Sequence, residues 1–194
     1  AVADAMAYAH SEGVIHRDLK PSNVLLGAFG ETVVIDWGLA KDLDAQDSLE
    51  PYSPTTTAAI GSGNVTSTGA ILGTPVYMPP EQALGDPLDE RADVYALGAL
   101  LYHVIAGTPP FEGRDATEVV RKVLSTSPAA LVKIVPGVPA DLAAIVAKAM
   151  ARPREQRYAD ARAFAEDLRL FQLGQIPSVR ANESEMEYDA ALEA

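Results

Sequence analysis

Apolar residues recur at helical spacing over residues 1–12, 89–106, 115–125, 139–151 and 159–172, so those five stretches predict helices. The later four are separated by Thr108-Pro109-Pro110-Phe111, by Pro128 and Pro136 with Gly137, and by Arg152-Pro153, residues that helix interiors exclude. Two short apolar runs, 24–26 and 33–35, flank Gly27-Ala28-Phe29-Gly30-Glu31 and predict a two-strand ribbon around that turn. Between Lys41 and Ile71, Ser, Thr, Gly, Pro and Asp crowd together without periodicity, the pattern of a long mobile loop. The most apolar window, Val94 to Gly107, is shorter than the roughly 20 residues a membrane span needs and reads as a buried core helix. From about Ile176 the pattern lapses into an acidic stretch through Glu183, Glu185, Glu187 and Asp189. Residues 1–175 are therefore expected to form one domain and 176–194 an acidic linker or tail. No internal repeat is evident.

The 194 residues are 48% hydrophobic and 22% charged, enough for one domain with a sizeable core and incompatible with disorder throughout. A formal net charge of −12 argues against nucleic acid or an anionic membrane surface as the main partner, because both select positive patches. The sequence contains no cysteine, which removes disulfides and thiol metal sites and fits a reducing compartment.

The densest chemistry lies in His16-Arg17-Asp18-Leu19-Lys20-Pro21-Ser22-Asn23, followed after the second strand by Asp36-Trp37-Gly38. A lone His-Arg-Asp triplet reads as a solvated turn. The combination of H-R-D-L-x-x-x-N, a strand and an Asp-aromatic-Gly is a multi-part match that resembles the serine/threonine protein kinases, most closely the eukaryotic-like class of bacteria. The resemblance covers most of the chain. Residues 1–12 are similar to the helix before a kinase catalytic loop, and Gly73-Thr74-Pro75 through Pro79-Pro80-Glu81 resembles the end of an activation segment. Asp93 begins a stretch similar to the long buried helix, and Arg157 matches the arginine that partners the segment's glutamate.

The resemblance implies a mainly α fold, the helical C-terminal lobe of a kinase with a short β-ribbon beside the catalytic and magnesium loops. It implies transfer of the γ-phosphoryl of ATP, with Mg2+, to Ser or Thr of protein substrates. Asp18 then orients the attacking hydroxyl and accepts its proton. Lys20, two residues along an extended loop and so on the same side, stabilises charge on the γ-phosphate. Asn23 and Asp36 offer the hard oxygens that magnesium prefers. Leu25 packs beneath the adenine, and Thr74 contacts Asp18 and Lys20 and helps form the substrate-docking loop. The Lys20 context and Thr74 both favour a Ser/Thr acceptor.

The remaining assignments are supporting ones. The resemblance implies that His16 packs under the aromatic ring of Trp37, that Asp93 bonds to the catalytic-loop backbone and that Glu81 pairs with Arg157. Thr66 and Thr68 resemble the paired autophosphorylated threonines of bacterial kinases, with Arg17 as the receiver of their phosphates and self-association as a route to them. His10 and His103 are expected to be packing residues, so no zinc site is predicted. Gly61-Ser62-Gly63-Asn64 lacks the strand and helix context of a phosphate cradle and reads as a flexible turn.

Two departures from the family pattern stand out: Trp37 where Phe is usual, and Pro79 where Ala is usual, at a helix start that tolerates proline. No glycine-rich loop, strand lysine or helix glutamate of the nucleotide-covering lobe is found, and the chain does not open on Met, so the protein is expected to begin earlier. Trp37 and the missing lobe motivate a rival reading, a pseudokinase or scaffold that binds proteins without catalysis; Asp18, Lys20, Asn23 and Asp36 together weigh against it. For this segment the expectation is a cytoplasmic location, with any membrane anchor outside it.

Overall fold

The computed structural model describes residues 1–43 and 75–180. The first helix, α1 (Val2–Ser11), leads through Gly13 into β1 (Val14–Ile15). A 3-10 turn at Pro21–Asn23 precedes β2 (Val24–Leu26), which pairs antiparallel with β3 (Thr32–Val34) in the register Val24 to Val34 and Leu26 to Thr32. A second 3-10 turn, Trp37–Leu39, precedes β4 (Lys41–Asp42), which pairs antiparallel with β1. After a 3-10 turn at Pro75–Tyr77 come α2 (Pro80–Leu84), α3 (Glu90–Ala106), α4 (Ala116–Ser125), α5 (Leu131–Ile134), α6 (Ala140–Ala149) and α7 (Ala161–Gln172). The described residues are thus mainly helical with small β-ribbons, as the resemblance implies.

The predicted helices form, each within a few residues of its expected bounds, and three begin where an aspartate can cap them. Asp89, Asp115 and Asp160 precede α3, α4 and α7 and accept from Arg91, Glu118 and Ala163 backbone N–H groups. Each cap satisfies an amide that the first helical turn leaves unpaired, a contribution of about 1 kcal/mol. α3 stops at Gly107, whose φ of 74° is left-handed and open to glycine without strain. The structure differs from the sequence expectation at Lys41 and Asp42, read as the start of a loop: they form β4 because β1 offers them an edge, a partner no local pattern reveals.

α3 is the axis. On one side, Val94 and Leu97 join Met6, Leu19, Ile145, Tyr158 and Phe164 in a core shared with α1, α6 and α7. On the other, Tyr95, Ala99 and Tyr102 join Val76, Tyr77, Phe111, Val119, Val123 and Leu131. α6 lies so close that a Cβ on Gly98 would stand 2.8 Å from the Cβ of Ala149, so only glycine permits this approach. Each fully buried large apolar side chain contributes about 1.5–3 kcal/mol. Helix α3 therefore makes a rigid floor for whatever its first turn holds.

Beyond α7 the chain stays attached. Pro177 is buried, and the buried Asp167 accepts from the Ser178 and Val179 backbone N–H groups at 2.7 and 3.2 Å and from the Ser178 hydroxyl at 2.9 Å. Arg180 Nε lies 3.3 Å from Asp141 Oδ1. A carboxylate from α7 thereby caps the helical turn that begins at Ser178. Among the described residues, no helix is long and apolar enough to cross a membrane.

Candidate catalytic site

Residues 16–23 cross between β1 and β2 with Arg17 at φ 69°, and Asp36, after β3, has φ 65°. Left-handed conformations at non-glycine residues cost about 1–3 kcal/mol and persist only where neighbours impose them. The imposing group at Arg17 is Asp93, in the first turn of α3 and 1% exposed. Its Oδ2 accepts from the His16 N–H at 2.8 Å and its Oδ1 from the Arg17 N–H at 2.9 Å.

Asp93 is itself steadied by His10. The Ala161 N–H donates to His10 Nδ1 at 3.2 Å, which places the ring proton on Nε2, and Nε2–H donates to Asp93 Oδ2 at 3.1 Å. His10 thus ties α1 and the start of α7 to the aspartate that grips the loop. His16 has its tautomer fixed in the same way: the Asp18 N–H donates to Nδ1 at 3.2 Å, and Nε2–H donates to the Ile35 carbonyl at 3.0 Å. Its ring centroid lies 4.7 Å from that of Trp37, which donates its Nε1–H to the Val34 carbonyl at 3.0 Å. The larger indole is therefore seated by a hydrogen bond that phenylalanine could not make.

Asp18, Lys20 and Asn23 converge. Lys20 Nζ lies 2.6 Å from Asp18 Oδ2, and Asn23 Nδ2 donates to the Asp18 carbonyl at 2.8 Å and to Oδ2 at 3.3 Å. Asn23 is buried, while the Asp18 and Lys20 side chains are about a quarter exposed, at 26% and 22%. The Ile35 N–H donates to the Asn23 carbonyl at 2.9 Å, so the ribbon's end brings Asn23 beside the residue that precedes Asp36. Asp18, Lys20 and Asp36 share a cleft of about 340 Å³, whose wall includes Arg17, Tyr77, Met78 and Gln82. Burial holds the Tyr77 phenol above its ordinary pKa, and its hydroxyl lies 2.6 Å from His103 Nδ1 on α3.

Such a site presents a carboxylate with a cation beside it, and the oxygens of Asn23 and Asp36. Among the described residues no cluster of three or more His, Cys, Asp or Glu could hold a metal ion. Asn23 Oδ1 and the Asp36 carboxylate fit a magnesium that draws its other ligands from water and phosphate, and they do not amount to an all-protein site.

Glu81 and Arg157 also meet: Nη1 to Oε1 is 2.6 Å and Nη2 to Oε2 is 2.9 Å. Leu25 stands elsewhere, half-exposed on the ribbon opposite Val33 and not in the wall of the cleft that holds Asp18. Arg17 Nε donates to the Leu39 carbonyl. Thr66, Thr68 and Thr74 lie outside the described residues.

Two contacts lie beyond the sequence expectations: His10, expected as a packing residue, bonds Asp93, and Gln82 Nε2 donates to the Arg17 carbonyl at 2.8 Å. Gln82 follows directly on the Pro80-Glu81 pair, and a polar residue on the inner side of so short a helix was the available signal.

The protein kinase domain family matches residues 1–168. The chain is 37% identical over 183 residues to the probable serine/threonine-protein kinase PknB of Bifidobacterium longum, covering 93% of this chain and 24% of that protein. It is 39% identical over 165 residues to the serine/threonine-protein kinase PknB of Mycobacterium tuberculosis, covering 84% and 24% respectively. With the serine/threonine-protein kinase PknD of Protochlamydia amoebophila it shares 40% identity over 124 residues, 64% of this chain and 12% of the relative. The chain spans about a quarter of the length of the first two of these relatives.

Proposed function

Since the chain belongs to the protein kinase family, we propose that it is the catalytic-loop-bearing lobe of a serine/threonine protein kinase, moving the γ-phosphoryl of ATP to Ser or Thr of protein substrates, itself included. The observation that carries this is the contact of Asp18 with Lys20 at 2.6 Å and with Asn23, on a loop whose backbone Asp93 holds.

Asp18 orients the incoming hydroxyl and takes up its proton as the new oxygen–phosphorus bond forms. Lys20 is free to exchange its ammonium between Asp18 and the phosphoryl oxygens where charge accumulates. Asn23 uses Nδ2 to hold Asp18, which leaves Oδ1, with the Asp36 carboxylate, to ligate magnesium. Magnesium, when bound, neutralises charge on the nucleotide phosphates. Leu25 is assigned to the adenine and Thr74 to the docking loop by resemblance. Trp37 is the feature among the described residues that would favour a non-catalytic scaffold. Its tilted ring contact with His16 and its bond to Val34 support the catalytic reading instead, because they keep the aromatic place beside Asp36 filled.

Transfer of radiolabelled phosphate from ATP to a generic protein acceptor tests the proposal. The complete protein should be active, and Asp18→Asn should lower the rate roughly 10²–10⁴-fold, the range for a general base. Asp36→Ala should abolish magnesium-dependent transfer. The 194 residues alone should turn over poorly, because catalysis here is mostly positioning and no lysine for the α- and β-phosphates was found among them. Undiminished transfer by complete Asp18→Asn protein would overturn the assignment.

A further inference from the structure

The peptide joining Arg17 to Asp18 is held at both ends. Its N–H, that of Asp18, donates to His16 Nδ1 at 3.2 Å; its carbonyl, that of Arg17, accepts from Gln82 Nε2 at 2.8 Å. The preceding peptide is held by Asp93 through the Arg17 N–H. A peptide unit is planar, so fixing its oxygen and its nitrogen fixes where the next Cα sits and the N–Cα bond about which its side chain turns. That side chain is the Asp18 carboxylate. Arg17 itself sits at φ 69°, a left-handed conformation that persists only where neighbours hold it.

Gln82 is well placed to hold the Arg17 carbonyl. The residue is buried, 3% exposed, on α2 (Pro80–Leu84), which directly follows the turn Pro75–Tyr77 in the cleft wall. Its neighbour Glu81 points another way, since successive helical residues are about 100° apart, and locks α2 to Arg157. One residue of α2 thus anchors the helix to the lobe, and the next connects it to the catalytic loop.

We propose that Gln82 is a positioning residue for Asp18: its amide sets the orientation of the 17–18 peptide and makes the aim of the carboxylate depend on where the segment ending in α2 has settled. It touches neither nucleotide nor acceptor. The catalytic consequence rests on the kinase reading above, whereas the structural one does not.

Gln82→Met keeps length and apolar volume and deletes the donor. In the complete protein it is expected to lower kcat at least tenfold, with KM for MgATP and for the protein acceptor within twofold of wild type, and to speed hydrogen exchange at the Asp18 amide at least tenfold. Gln82→Glu is a second variant that reads the bond by its proton: an ionised carboxylate repels the Arg17 carbonyl, and a protonated one donates to it. Its activity relative to wild type should therefore rise as pH falls from 8 to 6, while that of Gln82→Met stays flat. Exchange at Asp18 within twofold of wild type in Gln82→Met overturns the proposal. Faster exchange with unchanged kcat in an active protein overturns the positioning role. If the wild-type complete protein transfers no phosphate, the kinase reading fails, and the exchange rate at Asp18 decides Gln82 by itself.

Discussion

Arg157 holds Glu81 through two parallel hydrogen bonds, 2.6 and 2.9 Å long, across 76 positions of sequence. The guanidinium is buried, donates also to the carbonyls of Ala151, Arg91 and Arg152, and lies 4.9 Å from the centre of the Tyr95 ring. A planar fork satisfied on every side is stable in a place where a lone cation would not be.

Removing one partner leaves the other buried and uncompensated. Arg157→Ala is expected to destabilise the fold by about 3–5 kcal/mol, and Arg157→Lys nearly as much because an ammonium cannot make the fork. Glu81→Gln should cost less, since an amide still accepts one of the two bonds. Urea unfolding of the three variants checks the order, and an Arg157→Lys midpoint equal to wild type would refute it.

How much of this was legible without coordinates depended on the reach of each interaction. Helix α3 announces itself through its apolar run, the Asp89 cap and the Gly107 stop, all local signals. The loop of residues 16–23 was legible because Asp18, Lys20 and Asn23 lie within six residues, and Lys20 and Asn23 both contact Asp18. Glu81 with Arg157 was reached only through the family pattern. His10 and Gln82 were not reached, because their partners Asp93 and Arg17 are 83 and 65 positions away and an isolated His or Gln in a helix carries no mark of them. The two-residue strands β1 and β4 have no periodicity to read; pairing alone defines them.

The Asp93 carboxylate is the group on which the loop's conformation turns. Asp93→Ala would leave the His16 and Arg17 amides and the His10 ring without their acceptor, donors worth about 1–3 kcal/mol each when buried and unpaired. We expect a loss on the order of 3 kcal/mol, allowing for partial relaxation. Phosphate transfer by the complete protein should fall further than partial unfolding explains. His10→Ala should give the milder form of both effects, because the two loop amides keep their acceptor. Denaturation curves paired with transfer rates at a temperature where each variant is folded make the measurement. Equal losses from His10→Ala and Asp93→Ala would argue against this ranking.

Thr66 and Thr68 are proposed as autophosphorylation sites that Arg17 receives. Each phosphate brings nearly two negative charges and three strong acceptors, and Arg17 stands in the wall of the cleft beside Asp18. Mass spectrometry of active complete protein should find phosphate on one or both threonines. Thr66→Ala with Thr68→Ala should lower transfer to other proteins, and Arg17→Ala should remove the benefit of phosphorylation. The alternative, a merely Ser/Thr-rich linker, requires both threonines unmodified and the double variant fully active.

Tyr158 supplies a test at alkaline pH. Burial raises its phenol pKa most, and the hydroxyl it donates to Asp167 at 2.8 Å raises it further, because ionisation would set two anions against each other. Tyr95 is likewise raised, mainly by burial. A raised folded pKa means that the unfolded chain ionises first. The stabilising contribution is complete below the ordinary tyrosine value of about 10 and is lost as pH climbs above it, by about 1.4 kcal/mol per pH unit for each such tyrosine. Lys148 Nζ lies 4.3 Å from the centre of the Tyr158 ring. Tyr158→Phe keeps that ring and its neighbour and deletes only the titrating hydroxyl, so the difference between the two proteins isolates the phenol. The variant should be less stable than wild type at pH 8, since one donor to Asp167 is gone, and should lose stability less steeply between pH 10 and 11.5. Urea midpoints across that range decide the matter, and parallel slopes for the two proteins would show that the Tyr158 phenol ionises as readily in the fold as outside it.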